Sequence, residues 1–262
     1  IKEADHVVIM GHRMSDLDAI GSAEGVLRIC KICDVPAVIA VRRDATLAGS
    51  LIDALCRAGQ KDDFIDPKDA LPIISKRTLC IVVDTYQVGL VESKDILEKC
   101  GKVAVIDHHR KADNEIPAVI SWVDPNASSA SEMVTDLLQY FGDAGNLTPL
   151  EAEALLAGIT LDTKDFVMRT GEATFEAAAR LRKYGADTIL VKKLFATSMK
   201  SRMRRSKVVA SAEMYRGFAI SVVGESFEDI RVVCSQAADE MLNITGVDAS
   251  VTVYPIDNGW SF

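Results

Sequence analysis

The sequence predicts an α/β fold: a parallel sheet with helices on both faces, joined by a connecting helix to a smaller α/β domain. Three observations carry this. Short, unbroken apolar runs at residues 7–10, 37–40, 79–83 and 103–106 read as strands buried on both faces, the pattern of a parallel sheet. Helical patterns at 19–33 and 49–59 lie between them, as strand–helix–strand crossovers require. With 262 residues, 48% of them hydrophobic, the chain can bury a substantial core.

Further elements follow in order. Ser129 and Glu132 have capping-box spacing and open an apolar 3–4 pattern through Met133, Val134, Leu137 and Leu138, predicting a helix. Thr148, Pro149 and Glu151 repeat the signal as N-cap, first helical position and box-closing acid, for a helix that turns Ala154, Leu155, Leu156 and Ile159 inward. Composition changes near Gly185, and the stretch 192–207 is strongly basic, so residues 186–209 read as a connecting helix whose basic face is a solvated surface. A second set of elements follows, with strands at 218–223 and 249–255 around a helix at 227–242, ending on the turn-like Asp257-Asn258-Gly259. The expected domains are therefore 1–185 and 210–262, linked by 186–209.

Net charge is −8 and the sequence pI about 5.1, which argues against binding long nucleic acid and suits small phosphorylated substrates at a locally neutralised site. No apolar run approaches the roughly 20 residues of a membrane span, and Ile1 opens no signal-peptide pattern. The expectation is a cytoplasmic chain without membrane contact, cut from a longer protein. Six scattered cysteines, several inside apolar segments, read as reduced buried thiols, and Cys30-x-x-Cys33 lacks the second pair of a zinc site.

Chemistry concentrates in four segments. After the first strand, Gly11-His12-Arg13-Met14-Ser15-Asp16-Leu17-Asp18 offers three ligands at spacings of four and two. The third run ends in Asp84, the fourth in Asp107-His108-His109, and Asp162 follows the helical segment around Leu155. Strand ends of an open α/β sheet line its ligand crevice, so these segments converge. Any single acid there reads as a cap or turn residue, but three of the four histidines fall in the set, with only His6 outside it. Carboxylates with a minority of imidazoles and no thiolate suit Mn²⁺ over Zn²⁺. Two such ions support phosphoester hydrolysis by a metal-activated hydroxide.

Together, His12-x-x-x-Asp16-x-Asp18-x-x-Gly21-Ser22, Asp84, Asp107-His108-His109 and Asp162-Thr163 resemble the DHH phosphoesterase superfamily. Val83-Asp84-Thr85, Val91-Glu92-Ser93, Ala127-Ser128-Ser129 and Leu155-Leu156-Ala157-Gly158-Ile159 are similar to the GdpP-type cyclic-di-AMP phosphodiesterases in particular. The resemblance implies a DHH catalytic domain followed by a DHHA1-like substrate-binding domain. It implies two Mn²⁺ ions, with Mg²⁺ or Co²⁺ as substitutes: His12 and Asp16 on one, Asp18, His108 and Asp162 on the other, Asp84 bridging. For catalysis it implies His109 facing the substrate phosphate, Asp84, and Asp107 orienting its neighbours. The implied reaction takes cyclic di-AMP to linear 5′-pApA. A homodimer and a parent protein anchored by upstream membrane helices are also implied. Relatives carry a Gly-Gly-Gly-His segment in DHHA1 that is not found before Phe262, so the second domain is expected to be incomplete, and Ser15 stands where relatives often have proline. The same residues fit two other enzymes: a hydrolase of pApA or short oligoribonucleotides and, with less support in the second domain, a pyrophosphatase. A nucleotide-binding module without activity is the non-enzymatic reading, disfavoured by the complete ligand set.

Overall fold

The computed structural model describes residues 1–110, 113–142, 147–227, 229–256 and 259–262, so Asp257 and Asn258 of the expected final turn lie outside the described residues. The chain forms two compact units, Ile1–Leu194 and Phe195–Phe262.

The first unit is built on six strands: β1 (His6–Met10), β2 (Ala37–Ala40), β3 (Phe64–Ile65), β4 (Thr78–Val83), β5 (Lys102–Asp107) and β6 (Ile120–Val123). They pair in the order β3-β2-β1-β4-β5-β6, all parallel. The four apolar runs are the four central strands. The edge strands β3 and β6 carry no such run: β3 is two residues long and β6 is mostly exposed.

Among the described residues, eight α-helices accompany this sheet: α1 (Leu17–Ile32), α2 (Gly49–Leu55), α3 (Pro67–Ala70), α4 (Lys94–Lys99), α5 (Ala130–Leu138), α6 (Pro149–Asp162), α7 (Glu172–Lys183) and α8 (Thr188–Leu194). The capping box of α6 forms as its sequence predicts, with Pro149 in the first turn. At α5 only half of the expected box forms. Ser129 Oγ accepts the Glu132 amide at 3.0 Å, but the Glu132 carboxylate instead accepts the Ser128 and Thr174 hydroxyls, at 2.5 and 2.6 Å. A buried acid takes the partners that satisfy it, and here two hydroxyls are within reach. The pattern read as a helix over 49–59 is regular only to Leu55. A wider turn then runs from Cys56 to Gln60, with Gly59 inside it at φ +98°.

Helices α1, α5 and α6 pack together on one side of the sheet. Gly21 lets α1 approach α6 so closely that a Cβ there would overlap the Ala154 carbonyl oxygen, and a Cβ at Gly25 would lie 2.5 Å from Val134 Cγ1.

Residues 186–209 hold two helices rather than one. After α8, Ser198 caps α9 (Met199–Ala210) through the Ser201 amide at 3.0 Å. The second unit continues with β7 (Glu213–Tyr215), β8 (Phe218–Val222), α10 (Ile230–Met241), β9 (Ala249–Ile256) and β10 (Gly259–Ser261). Its sheet order is β10-β9-β8-β7, parallel only between β8 and β9, over a small core that includes Val208, Val233 and Ala237. On the basic helix α9, Arg204 pairs with Asp229 at 2.7 Å and lies over the Phe227 ring, while Arg205 reaches Glu240 at 3.0 Å. Each of the six cysteines carries a free thiol, and no helix among the described residues is long and apolar enough to cross a membrane.

Gly21→Ala is expected to destabilise the protein by roughly 1–3 kcal/mol through overpacking of α1 on α6. A cooperative melting temperature several degrees lower would be seen in a thermal melt; an unchanged melt would contradict this packing.

Candidate metal centre

Strands β1, β4 and β5 are neighbours running the same way, so the loops leaving their C-terminal ends share one edge of the sheet. His12 follows β1, Asp84 follows β4, and Asp107 ends β5 with His108 and His109 beyond it. Asp16 and Asp18 lie at the start of α1, and Asp162 ends α6. Asp84 turns off its strand at φ +57°, in the left-handed region that Asp tolerates better than most residues. Its amide donates to the Ile106 carbonyl at 2.9 Å.

The structure brings these segments together. His12 Nε2 lies 3.5 Å from Asp84 Oδ2 and 3.8 Å from Asp16 Oδ2. On the other oxygen of Asp84, His108 Nε2 lies 3.3 Å from Oδ1, 3.0 Å from Asp162 Oδ2 and 3.8 Å from Asp18 Oδ2. Two three-residue groups, His12/Asp16/Asp84 and Asp18/His108/Asp162, each present ligand atoms within 4.8 Å of one another, and Asp84, Asp107, His108 and His109 form a third such group.

Three of the carboxylates are held by backbone amides. Asp16 caps α1, its Oδ1 accepting the Asp18 and Ala19 amides at 3.0 and 3.1 Å, which leaves Oδ2 toward His12. Asp18 is wholly buried, and its two oxygens accept the Ala130 and Ser131 amides at the start of α5, at 2.8 and 2.9 Å. Gly158 makes room for it, because a Cβ there would sit 2.6 Å from Asp18 Oδ1. Asp107 Oδ1 accepts the amides of His108 and His109 at 2.8 and 3.3 Å, and the His109 ring Nδ1 at 2.7 Å. Since a carboxylate only accepts, Nδ1 carries the proton there and Nε2 is the ring atom His109 offers the cleft.

Burial drives the Asp18 carboxyl well above its ordinary range, and the charges of Asp84 and Asp162 add to this. Burial likewise raises Asp162. At Asp84, burial is outweighed by the His108 and His12 imidazoles, and the net shift is downward. The imidazoles answer in kind. Burial alone would lower them, but the Asp16 and Asp84 contacts carry His12 up to about 10, and the Asp162 and Asp84 contacts carry His108 up to about 11. His109 is raised chiefly by its bond to Asp107.

Asp84 Oδ1, Asp107 Oδ2 and both ring nitrogens of His108 are buried without a well-aligned hydrogen bond. An unsatisfied buried polar atom costs about 1–3 kcal/mol. A divalent cation coordinated by Asp84 Oδ1 and His108 Nε2 would satisfy two of these atoms at once, so the donor set fits a metal ion.

The centre opens into a cleft of about 800 Å³. Its lining adds residues that sequence reasoning missed: Arg13, Arg110 and Arg169 as cations, and Met14, Leu47 and Leu90 as apolar walls. Arg13 and Arg110 stand beside motif histidines, a signal available in the sequence; Leu47 comes from a distant loop that no motif marks.

The sequence profile of the DHH family, N-terminal domain, matches residues 6–159. The chain belongs to the DHH family. This DHH chain is 40% identical over 97% of its length to the cyclic-di-AMP phosphodiesterase GdpP of Geobacillus thermodenitrificans, of which it covers 39%. It spans about two fifths of the length of such curated relatives. It is also 28% identical over 97% of its length to a probable bifunctional oligoribonuclease and PAP phosphatase NrnA of Streptococcus mutans, covering 74% of that protein. Among solved structures, an exopolyphosphatase-related protein from Bacteroides fragilis shares the fold, with a TM-score of 0.82 at 20% identity over 98% of this chain and 78% of that one.

In the cation-free DHH site, His12 and His108 hold protons at neutral pH, and a cation takes their place only by displacing them. The stabilisation those protons give the cation-free protein is complete below about pH 6.5 and is lost as pH rises through about 10 to 11. Cation affinity therefore strengthens with rising pH between 6 and 9. Calorimetric titration of Mn²⁺ in buffers of different ionisation heat is expected to register proton release, and a pH-independent affinity with none released would contradict the assignment.

Proposed function

We propose that this chain is a metal-dependent phosphodiesterase that hydrolyses cyclic di-AMP to linear 5′-pApA, with two Mn²⁺ ions held by His12, Asp16, Asp18, Asp84, His108 and Asp162. The observation that carries the reading is the division of Asp84: Oδ2 faces His12 and Oδ1 faces His108, so one carboxylate joins two ligand sets. Two cations there would lower the pKa of a water molecule and neutralise charge on a phosphoryl group. Oxygen donors without thiolate favour Mn²⁺ over Zn²⁺, and the imidazoles favour it over Mg²⁺.

The chain's own residues do the rest. Asp107 fixes His109 by its Nδ1, turning Nε2 toward a substrate phosphate oxygen. Arg13, Arg110 and Arg169 supply cations for phosphate in the same cleft. Residues 1–185 form the catalytic domain and 210–262 a DHHA1-like substrate-binding domain in this reading. Support for the substrate comes from the 40% identity to the GdpP relative. The homodimer that the family resemblance implies would have an edge strand available, β6, on which Ile120 is 65% exposed.

A second reading, hydrolysis of pApA or short oligoribonucleotides at the same centre, is supported by the likeness to NrnA, most of whose length this chain covers.

The test is to incubate the metal-stripped protein with Mn²⁺ and cyclic di-AMP, pApA or pyrophosphate and separate the products. Mn²⁺-dependent formation of pApA from cyclic di-AMP is expected. Cleavage of pApA alone would move the assignment to the second reading, and cleavage of pyrophosphate alone would reject both. Asp84→Ala is expected to abolish turnover while Cys33→Ser retains it; substantial turnover by Asp84→Ala would sink the two-cation centre.

A further inference from the structure

The strand order puts the loops after β2 and β1 on one side of Asp84 and those after β5 and β6 on the other. The two sides of the cleft differ in chemistry. Toward β5 and β6 it is lined by His109, Arg110 and Pro125; toward β2 and β1 it is lined by Arg13 and by the apolar Leu47 and Met14, with Leu90 from the loop after β4.

Those three apolar side chains are 50%, 38% and 39% exposed, yet their loops are tied together. The Leu47 amide and the Thr46 hydroxyl both donate to the Ser15 carbonyl, at 2.8 and 2.7 Å. The Arg13 amide donates to the Leu90 carbonyl at 2.8 Å, and the Glu92 amide to the Gly11 carbonyl at 2.9 Å. Arg42 Nε holds the Glu92 carboxylate at 2.6 Å. Three loops therefore form one fixed surface that keeps apolar groups facing the cleft, where water solvates them poorly.

We propose that Met14, Leu47 and Leu90 form an apolar shelf that receives the nucleobase of a nucleotide whose phosphate lies over the carboxylate and imidazole cluster. The inference rests on the phosphodiesterase reading and names a part of the substrate for a part of the cleft. Continuity fixes the occupant. Met14 lies between His12 and Asp16 in the chain, and Val91, next to Leu90, bridges to His12 through the backbone. The shelf is thus contiguous with the centre, and a base, whose flat faces are apolar, linked through ribose to phosphate has the form to occupy both. Two leucines and a thioether offer almost nothing to read a base edge, so the shelf responds to the presence of a base rather than to its identity.

The test is equilibrium binding to the full chain with Mn²⁺ present, comparing AMP with ribose 5-phosphate, which differ only in the base. The wild-type protein is expected to bind AMP about tenfold tighter, equivalent to about 1.4 kcal/mol. In Leu47→Ser, and separately in Met14→Ser, that ratio is expected to fall to about twofold. Both side chains are exposed, and a thermal melt verifies folding of each variant. Equal binding of the two probes by the wild-type protein, or a ratio that persists in both folded variants, would overturn the shelf. Because the readout is binding, a failure to hydrolyse cyclic di-AMP would reject the proposed function and leave the AMP preference to be judged independently.

Discussion

The rest of the centre depends on how the buried Asp18 is held. Its burial is complete and pushes its carboxyl up, and what offsets part of that cost is the start of α5, where two backbone amides point at its oxygens and the positive end of the helix dipole faces them. That contact fixes more than one side chain. It sets α1 against α5, requires a glycine at 158 on α6, and so places the end of α6, with Asp162, within reach of His108. Helix packing and ligand geometry are one arrangement here, and a change in either is felt in the other.

The turns that carry ligands are also where the backbone leaves regular geometry. Asp84 is left-handed immediately after a regular strand, and Lys164, Asp165 and Phe166 are left-handed in succession just after Asp162. Such conformations cost of order 1–3 kcal/mol each and persist where the surroundings over-determine them. After Asp162 the determinant is Thr163: its hydroxyl donates to Ile159 at 2.6 Å and accepts the Phe166 amide at 3.0 Å, while its carbonyl accepts the amides of Val167 and Met168. After β4 it is the Asp84 amide, held by the neighbouring strand.

The central sheet was legible because buried strands advertise themselves as unbroken apolar runs, and the ligand segments because they sit where such runs stop. The edge strands were not legible: Phe64–Ile65 is too short for any pattern, and Ile120–Val123 mixes exposed apolar residues with a serine. Glu132 was misread because its spacing from Ser129 speaks only of the helix, while its hydroxyl partner on Thr174 is brought by the fold. Asp16 and Asp107 could be read as acids at the right place. Their second tasks, capping α1 and holding His109, depend on amide directions that only the folded chain defines. Of the cleft's other lining residues, Arg13, Met14 and Arg110 stand inside the motif segments, whereas Leu47, Leu90 and Arg169 come from separate loops that no spacing rule could group with them.

What distinguishes this cluster from an ordinary network of buried ion pairs is the nature of its positive partners. Among the described residues, the ion pairs made by Asp16, Asp18, Asp84 and Asp162 are all to imidazoles. A network built only for stability is better served by arginine, whose charge is permanent and whose donors match a carboxylate two at a time. An imidazole holds the opposing carboxylates together only while protonated, and on releasing the proton it exposes a lone pair in the same place. The carboxylates of the centre therefore admit two states, one balanced by protons on His12 and His108 and one that divalent cations would balance in their place. The same carboxylates that raise the imidazole pKa values in the first state are the ligands of the second. That exchange needs both residue types at these distances, which explains why acids alone, however many, would have been weaker grounds for the assignment.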